Sequence, residues 1–233
     1  MPATKKPRRR LTRDEILHAA MTIADRDGQE ALTMRSLAVE IQSDPTAIYR
    51  HFRDKQDLLS AMVDTVLDDL RYPAASQDWR AIARELALNL RELLLAHPGA
   101  AMLIASGPPT PGSVKATANA LQLLAAAGMP PRLAGRAQRS VISYVVGWVL
   151  MEHGIGARQR ASYFAQALLL AQQHPGSDPA TLARAAIPDR SEPGEFEFGL
   201  DTFLDGLSLR LEEEVHVSGQ DPIRWPVDNR PSP

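Results

Sequence analysis

Five side chains that can bind phosphate or read base edges lie within residues 35–55. Arg35, Tyr49, Arg50, His51 and Lys55 supply guanidinium, phenol, imidazole and ammonium donors. Such donors bind phosphate oxygens, and arginine also pairs bidentately with the edge of a guanine. The formal net charge of the chain is -2, so a generally basic composition does not explain this concentration. The pattern indicates a nucleic-acid-binding end of the molecule.

The distribution of charge along the chain supports this interpretation. Residues 1–60 carry 11 Lys or Arg against 9 Asp or Glu, a balance of +2, whereas residues 61–233 carry 15 against 19, a balance of -4. Much of the positive charge precedes Asp14 in the stretch KKPRRR. We expect residues 1–10 to form a disordered basic arm that adds affinity for DNA by releasing counterions or reaches into the minor groove. The alternative is a tail that is only solvated.

Helix start signals place the basic stretch on a helix-turn-helix. Thr12 and Glu15 form a capping box, and Thr33 precedes a second helical pattern. Asp44 followed by Pro45 is typical of the cap and first position of a third helix, which we expect to run to about residue 52. A helix, a tight polar turn and a short helix is the layout that places the second helix in a major groove.

The segment 11–59 also resembles the N-terminal domain of the tetracycline-repressor (TetR) family. The matching motif is Thr33-x-Arg35, Leu37-Ala38 and the signature IYRHFRDKQDLL at residues 48–59. The chain departs from the family in the turn, where Gln42 replaces the usual glycine and Ser43 replaces a small apolar residue. A residue with a side chain must then adopt whatever backbone conformation the turn requires.

The resemblance assigns DNA-contacting roles to residues of this chain. It implies that Arg35 reads a base from the supporting helix, that Thr46, Ala47 and Arg50 face the bases, and that Tyr49, His51 and Lys55 contact phosphates. The candidate DNA-binding residues are Thr33, Arg35, Pro45, Thr46, Ala47, Tyr49, Arg50, His51 and Lys55. For isolated residues, packing, capping or solvation would be the commoner explanation. The motif that contains them favours DNA contact.

Composition and helical periodicity predict an all-α protein. Hydrophobic residues make up 44% of the chain, aromatic residues only 5%, and there is no cysteine. We expect a helix-turn-helix domain at 11–58, a larger helical domain for ligand binding and dimerisation at 59–217, and a flexible tail at 218–233. Helices are expected at about 54–71, 78–96, 99–106, 113–127, 131–153, 159–173 and 195–214, with a short one possible at 181–186. No stretch is apolar enough to suggest a membrane span, and we expect a cytoplasmic protein.

The larger domain resembles the ligand-binding domain of the tetracycline-repressor branch of the family. The stretches that carry this likeness are 97–104, 125–137, 145–154 and 195–207. It implies a homodimer in which the helices 131–153 and 195–214 pair with their symmetry mates. Both helices are apolar on more than one face, which favours the same arrangement. A dimer with two reading helices implies a palindromic operator.

The ligand is less clearly indicated than the DNA. Leu103, Met151, Leu86 and Ala120 stand where the tetracycline repressor has its magnesium and drug ligands, so tetracycline–magnesium specificity is not expected here. We expect no metal or other cofactor, and an apolar or aromatic effector. The candidate ligand-binding residues are Arg71, Asn89, Leu90, Leu103, Ser106, Gln122, Gln138, Tyr144, Trp148 and Glu152. Each could instead be an ordinary core residue.

The sequence therefore predicts a DNA-binding regulator, most simply a repressor that a small molecule releases from its operator. An enzyme is not indicated, because the six histidines show no paired metal spacing and no serine sits in a nucleophile elbow. The alternative is a helical carrier or interaction protein that no longer binds DNA. Gln42 and Ser43 are the features that favour this alternative.

Overall fold

The helix-turn-helix unit is built as the sequence predicts. A computed structural model describes residues 11–76, 78–154 and 194–218, with Ser162, Ala165, Gln166, Leu169 and Asp178 singly. Its first three α-helices and one 3₁₀ turn are α1 (Arg13–Asp27), the turn (Gln29–Ala31), α2 (Met34–Glu40) and α3 (Pro45–Ile48). The Thr12 hydroxyl accepts from the Glu15 amide at 3.2 Å, and the Glu15 carboxylate accepts from the Thr12 amide at 3.0 Å. The predicted capping box is confirmed.

The helices of the larger domain follow the predicted boundaries closely. They are α4 (Lys55–Asp68), α5 (Trp79–Ala96), α6 (Pro98–Ser106), α7 (Pro111–Ala126), α8 (Pro131–Gly154) and α9 (Glu195–Ser218). No strand occurs among the described residues. The predictions for residues 1–10, 159–173, 181–186 and 219–233 lie outside the described residues. None of the helices in the described part is long and apolar enough to cross a membrane.

Two helices end earlier than expected. α3 stops at Ile48 rather than near Phe52, since the following residues form turns in which the His51 amide donates to the Ile48 carbonyl at 2.9 Å. α4 stops at Asp68 rather than near Arg71, before it reaches Pro73. Amides at the end of α4 bond three residues back, and this tighter winding closes the helix.

One continuous core joins the helix-turn-helix unit to the larger domain. α1 packs on α6, and α4 packs on both α6 and α7. α8 lies against α5, α6 and α7, while α9 covers α5 and α8. Val145 and Val149 of α8 are fully buried, in agreement with the prediction that this helix is covered on several sides. The DNA-binding unit is therefore linked to the larger domain both by α4 and by the contact of α1 with α6.

Helix α9 has apolar side chains on both its inner and its outer side. Phe196, Leu200 and Leu204 are buried against the core. Phe198 and Leu209 remain 73% and 63% exposed. An apolar surface of this kind on a helix that already packs on its own domain is typical of a surface that another protein chain covers.

Candidate nucleic-acid interface and ligand cavity

The turn of the helix-turn-helix forms without glycine. Gln42 has φ of 50°, which makes it the one non-glycine residue with positive φ in the described part of the chain. Its amide donates to the Val39 carbonyl at 3.1 Å, and the Ser43 amide donates to the Ala38 carbonyl at 2.9 Å. These two bonds form a Schellman motif, in which a left-handed residue ends a helix. The turn is complete, so Gln42 and Ser43 no longer favour a protein that has lost its DNA-binding geometry.

Helix α3 is held on the unit by its cap and by one apolar side. The Asp44 carboxylate accepts from the Thr46 amide at 2.8 Å, and Pro45 occupies the first turn, where no amide donor is needed. Ile48 is fully buried and Phe52 is 1% exposed, as their shared apolar face predicts. This anchoring fixes which side of the short helix faces outward.

The outward side carries the candidate DNA-binding residues. We call this the reading surface, which consists of Arg35, Pro45, Thr46, Ala47, Tyr49, Arg50, His51 and Lys55. All of them are exposed except Ala47 and Lys55, which are half-buried. In the part of the chain that the structure describes, none of their side chains takes part in a hydrogen bond or ion pair. The remaining candidate, Thr33, caps α2 by accepting from the Ser36 amide at 2.9 Å.

Many cationic side chains elsewhere are paired with carboxylates. Arg26 binds Asp27 at 2.8 Å and Glu40 at 3.3 Å. Arg84 binds Asp201 of α9 at 3.1 Å. Next to the reading surface, Arg13 instead lies 4.9 Å from the centre of the Phe52 ring. Donors that the fold leaves without acidic partners are available to an external anion, and on a helix that fits a major groove that anion is DNA.

An apolar cavity of about 110 Å³ lies between α4, α5, α6, α7 and α8. Its wall holds no charged side chain, and its polar residues are Ser113, Thr117 and Gln138. The Gln138 side-chain amide donates to the Thr117 hydroxyl at 3.2 Å, so this pair largely satisfies itself. The rest of the lining is aliphatic: Leu67, Leu70, Ala83, Leu86, Leu90, Ile104, Ala116, Ala120, Leu124, Ala137, Val141 and Ile142.

A second cavity of about 370 Å³ adjoins the first, under the loop between α6 and α7. Leu103, Val63 and the Pro108-Pro109 stretch contribute to its wall. Ile104, Ser113 and Thr117 line both cavities and form the partition between them.

The candidate ligand-binding residues are only partly brought together. Leu90 and Gln138 line the first cavity, and Leu103 lines the second. The others lie outside both linings: Arg71, Asn89, Ser106, Gln122, Tyr144, Trp148 and Glu152. Several of them have other partners. Arg71 pairs with Glu92, the Asn89 side chain donates to the Arg71 carbonyl at 3.1 Å, and the Ser106 hydroxyl donates to the Met102 carbonyl at 2.8 Å. Gln122 is exposed.

Tyr144 and Trp148 belong to an aromatic cluster with Phe196 of α9. The Tyr144 hydroxyl donates to the Phe196 carbonyl at 2.8 Å, and burial raises the pKa of the Tyr144 phenol, which keeps it protonated as a donor. Arg91 lies 4.8 Å from the centre of the Phe196 ring and binds Glu152 at 3.0 Å. These residues join α5, α8 and α9 and stand beside the cavity rather than in it.

Most of the aliphatic cavity residues were missed by sequence reasoning, because their spacing is the same as that of ordinary core residues. Leu90 is an exception, since it was a candidate and lines the first cavity. Leu86 and Ala120 are exceptions in part, because they were identified as positions where polar drug ligands are absent, and both line the same cavity. Within the described residues no group of three or more His, Asp or Glu side chains could hold a metal ion.

Family models and relatives cover nearly the whole chain. Residues 16–62 match the model for bacterial regulatory proteins of the tetR family, and residues 72–211 match the tetracyclin repressor-like C-terminal domain. The tetracycline repressor protein class A from transposon 1721 of Escherichia coli is 30% identical over 90% of this chain and 96% of its own length.

Two solved structures with the same fold contain a partner, a small molecule in one and double-stranded operator DNA in the other. ActR of Streptomyces coelicolor in complex with actinorhodin has a TM-score of 0.71 and 26% identity, covering 86% of this chain and 98% of that one. BioQ with its natural double-stranded DNA operator has a TM-score of 0.58 and 28% identity, covering 84% and 98%.

Proposed function

The chain belongs to the TetR family of bacterial regulatory proteins, and we propose that it is a transcriptional repressor that binds a palindromic operator as a homodimer and is released by a small molecule. We assign DNA binding to residues 11–58, ligand binding and dimerisation to residues 59–217, a basic arm to 1–10 and a tail to 218–233. BioQ binds its operator and ActR binds actinorhodin, so both activities occur on this fold.

The observation that carries the DNA-binding assignment is the unpaired reading surface. Arg35 reads a guanine from the second helix, while Arg50, with Pro45, Thr46 and Ala47, faces the bases from the third. Tyr49, His51 and Lys55 contact phosphates on either side of the groove. Thr33 holds the start of α2, and we assign it a contact with the phosphate backbone.

Dimerisation places two reading surfaces on one face of the assembly. The exposed apolar side chains Phe198 and Leu209 of α9 and the neighbouring α8 form the surface that we assign to the dimer. Two-fold symmetry then requires half-sites about 34–36 Å apart or slightly more, in successive major grooves. Since the operator is on bacterial DNA, the protein acts in the cytoplasm.

The effector is an uncharged, mainly apolar or aromatic molecule. The absence of charged residues from the lining supports this class, because a buried charge without a partner is costly. Leu86 and Ala120 offer no hydrogen bond to a polar drug edge, so tetracycline–magnesium is not the proposed ligand, and no metal or cofactor is part of the mechanism. The family consists of regulators, and we assign no catalytic activity to this member.

Fluorescence anisotropy with the DNA upstream of the coding sequence tests the proposal. The wild-type chain should bind with an affinity that falls steeply with salt. Lys55→Ala should weaken all sequences alike and lower the salt slope by about 1. Arg26→Ala, which removes a cation already paired with carboxylates, is the control and should leave the slope unchanged. Wild-type binding that shows no preference for any upstream sequence over random DNA would contradict the proposal.

A further inference from the structure

Two helices of the larger domain begin with Pro-Gly, and the amide of each glycine donates to a carboxylate, one on α1 of the DNA-binding unit and one on the linking helix α4. The Gly99 amide at the start of α6 donates to Asp25 of α1 at 2.9 Å. The Gly112 amide at the start of α7 donates to Asp64 of α4 at 2.8 Å. We call these the α1–α6 joint and the α4–α7 joint. A carboxylate at the first turn of a helix interacts favourably with the helix dipole, and its charge strengthens the hydrogen bond.

Both joints require glycine because the facing helix lies too close for a side chain. A Cβ at Gly99 would lie 2.8 Å from the Ala24 Cβ and 2.9 Å from the Ala24 carbonyl carbon. At Gly112 it would lie 2.5 Å from the Asp64 Oδ1 and 2.9 Å from the Asp64 Cα. Backbone atoms cannot rotate away as a side chain can, so any residue larger than glycine must separate the helices.

The two joints differ in their distance from the cavities. On α4, Val63 and Leu67 flank Asp64 and line the second and first cavity respectively, and Ser113, next to Gly112, lines both. The α4–α7 joint therefore adjoins the walls of both cavities, although neither Asp64 nor Gly112 lines one itself. The α1–α6 joint is remote, since neither Asp25, Gly99 nor their immediate neighbours line a cavity. It is backed by apolar packing of Ala24 against the fully buried start of α6.

The first cavity by itself is too small for a ligand of drug size, although the adjoining second cavity measures about 370 Å³. Pockets for ligands of drug size occupy about 300–1,000 Å³, whereas the first cavity measures about 110 Å³. A ligand of that size that extends into the first cavity must displace its walls, which include Leu67 of α4 and Ser113 of α7. Besides apolar packing, α4 and α7 are joined by the Asp64–Gly112 bond and by an exposed Asp68–Lys115 pair at 3.1 Å, which contributes little because water screens it.

We propose that Asp64 is a positioning residue for operator binding: its hydrogen bond to the Gly112 amide holds α4 in the DNA-binding position, and entry of the effector breaks this bond. The α1–α6 joint is the fixed pivot about which the DNA-binding unit then turns. This inference rests on the proposed function, since it concerns the regulation of that same site.

Distance measurements on the full-length chain test the joint without a ligand. The chain has no cysteine, so the double variant Gln56→Cys and Ala118→Cys places spin labels only on α4 and α7. Both positions are exposed. Dilution with unlabelled protein restricts double electron–electron resonance to labels within one chain. Asp64→Ala should lengthen and broaden the distance between the labels, and Asp64→Asn, which keeps an oxygen acceptor, should restore most of it. Gly112→Ala should lengthen the distance as the effector does.

Operator affinity, measured on the cysteine-free chain, provides the second readout. Asp64→Ala should weaken operator binding about tenfold, as expected for the loss of one charged hydrogen bond. Asp25→Ala is the control at the remote joint, where it removes the bond to Gly99 and a 3.3 Å contact with the His97 Nδ1. It should lower the melting temperature but leave the distance between α4 and α7 unchanged. The proposal is overturned if folded Asp64→Ala keeps both the wild-type distance and the wild-type affinity, or if Asp25→Ala changes the distance equally. Failure of the wild-type chain to bind operator would overturn the proposed function instead. The distances between the spin labels would still show whether Asp64 holds α4 against α7.

Discussion

The reading surface and the first cavity use opposite kinds of residue for binding. The reading surface consists largely of exposed polar and cationic side chains that the described structure leaves without partners. The cavity consists of buried and half-buried aliphatic side chains, with a Gln138–Thr117 pair that satisfies itself. Exposed polar residues bind through charge and hydrogen bonds and add little to folding. Buried apolar residues bind a ligand through the same packing that stabilises the fold. Their sequence pattern therefore does not distinguish a ligand-binding residue from an ordinary core residue.

The largest effect is expected from a core substitution beneath the reading surface, which should destabilise the DNA-binding unit more than the larger domain. Phe52→Ala removes a 1%-exposed side chain beneath α3 and should lower the free energy of unfolding by about 3–5 kcal/mol. Operator binding should be lost. All three tryptophans, at positions 79, 148 and 225, lie outside residues 11–58. Denaturation followed by tryptophan fluorescence and by hydrogen exchange in α1–α3 should then give different midpoints. Val39→Ala, at a 73%-exposed site of the same unit, is the control; coincident midpoints would show that the regions unfold together.

The next effect concerns the cavity alone. Ala120→Leu fills space lined by aliphatic residues and should abolish binding of neutral aromatic compounds while operator affinity stays at the wild-type value. A compound present at 100 times its Kd stabilises the wild-type chain by about 2.7 kcal/mol, which a thermal-shift screen detects readily. The control is Ala118→Leu, at an exposed position of the same helix. Compounds that still stabilise Ala120→Leu would show that they bind elsewhere.

A smaller effect, on base discrimination alone, is expected when one base-contacting side chain is removed. Arg35→Ala should cost about 1–3 kcal/mol of discrimination at a single base pair, because one bidentate guanine contact is lost. The thermal stability should not change, since Arg35 is exposed and has no partner within the described structure. The measurement is binding to a panel of operators that differ at single positions. Uniform weakening across the panel would make Arg35 a phosphate contact instead.

The smallest effect is expected at the turn. Gln42 has φ of 50°, a conformation that costs a residue with a side chain roughly 1–2 kcal/mol, whereas glycine adopts it freely but loses more entropy on folding. Gln42→Gly should therefore change stability by less than about 1 kcal/mol, in the stabilising direction, and should keep operator affinity. Gln42→Val should destabilise the chain, since a branched side chain is least compatible with positive φ. Chemical denaturation of both variants and the wild-type chain measures these differences in the free energy of unfolding.

The sequence by itself determined the all-helical fold, most helix boundaries and the candidate reading surface. Caps and periodicity act over a few residues, so Thr12, Asp44 and Asp78 each start a helix where their local patterns indicate. The outward face of α3 followed from the apolar pair Ile48 and Phe52. The sequence placed Gln42 in the turn without fixing its backbone conformation; the positive φ and the two bonds of the Schellman motif emerged only from the structure.

The tertiary structure alone decided which core residues surround a cavity and which glycines hold helices together. Leu86, Ala120 and Ile142 have the same spacing as other buried residues, and a cavity is a property of how five helices meet rather than of any one. Gly112 reads in the sequence as part of a turn. Its contact with Asp64, 48 residues earlier, exists only because α4 and α7 pack side by side. Contacts between distant segments depend on packing, which local residue patterns do not encode.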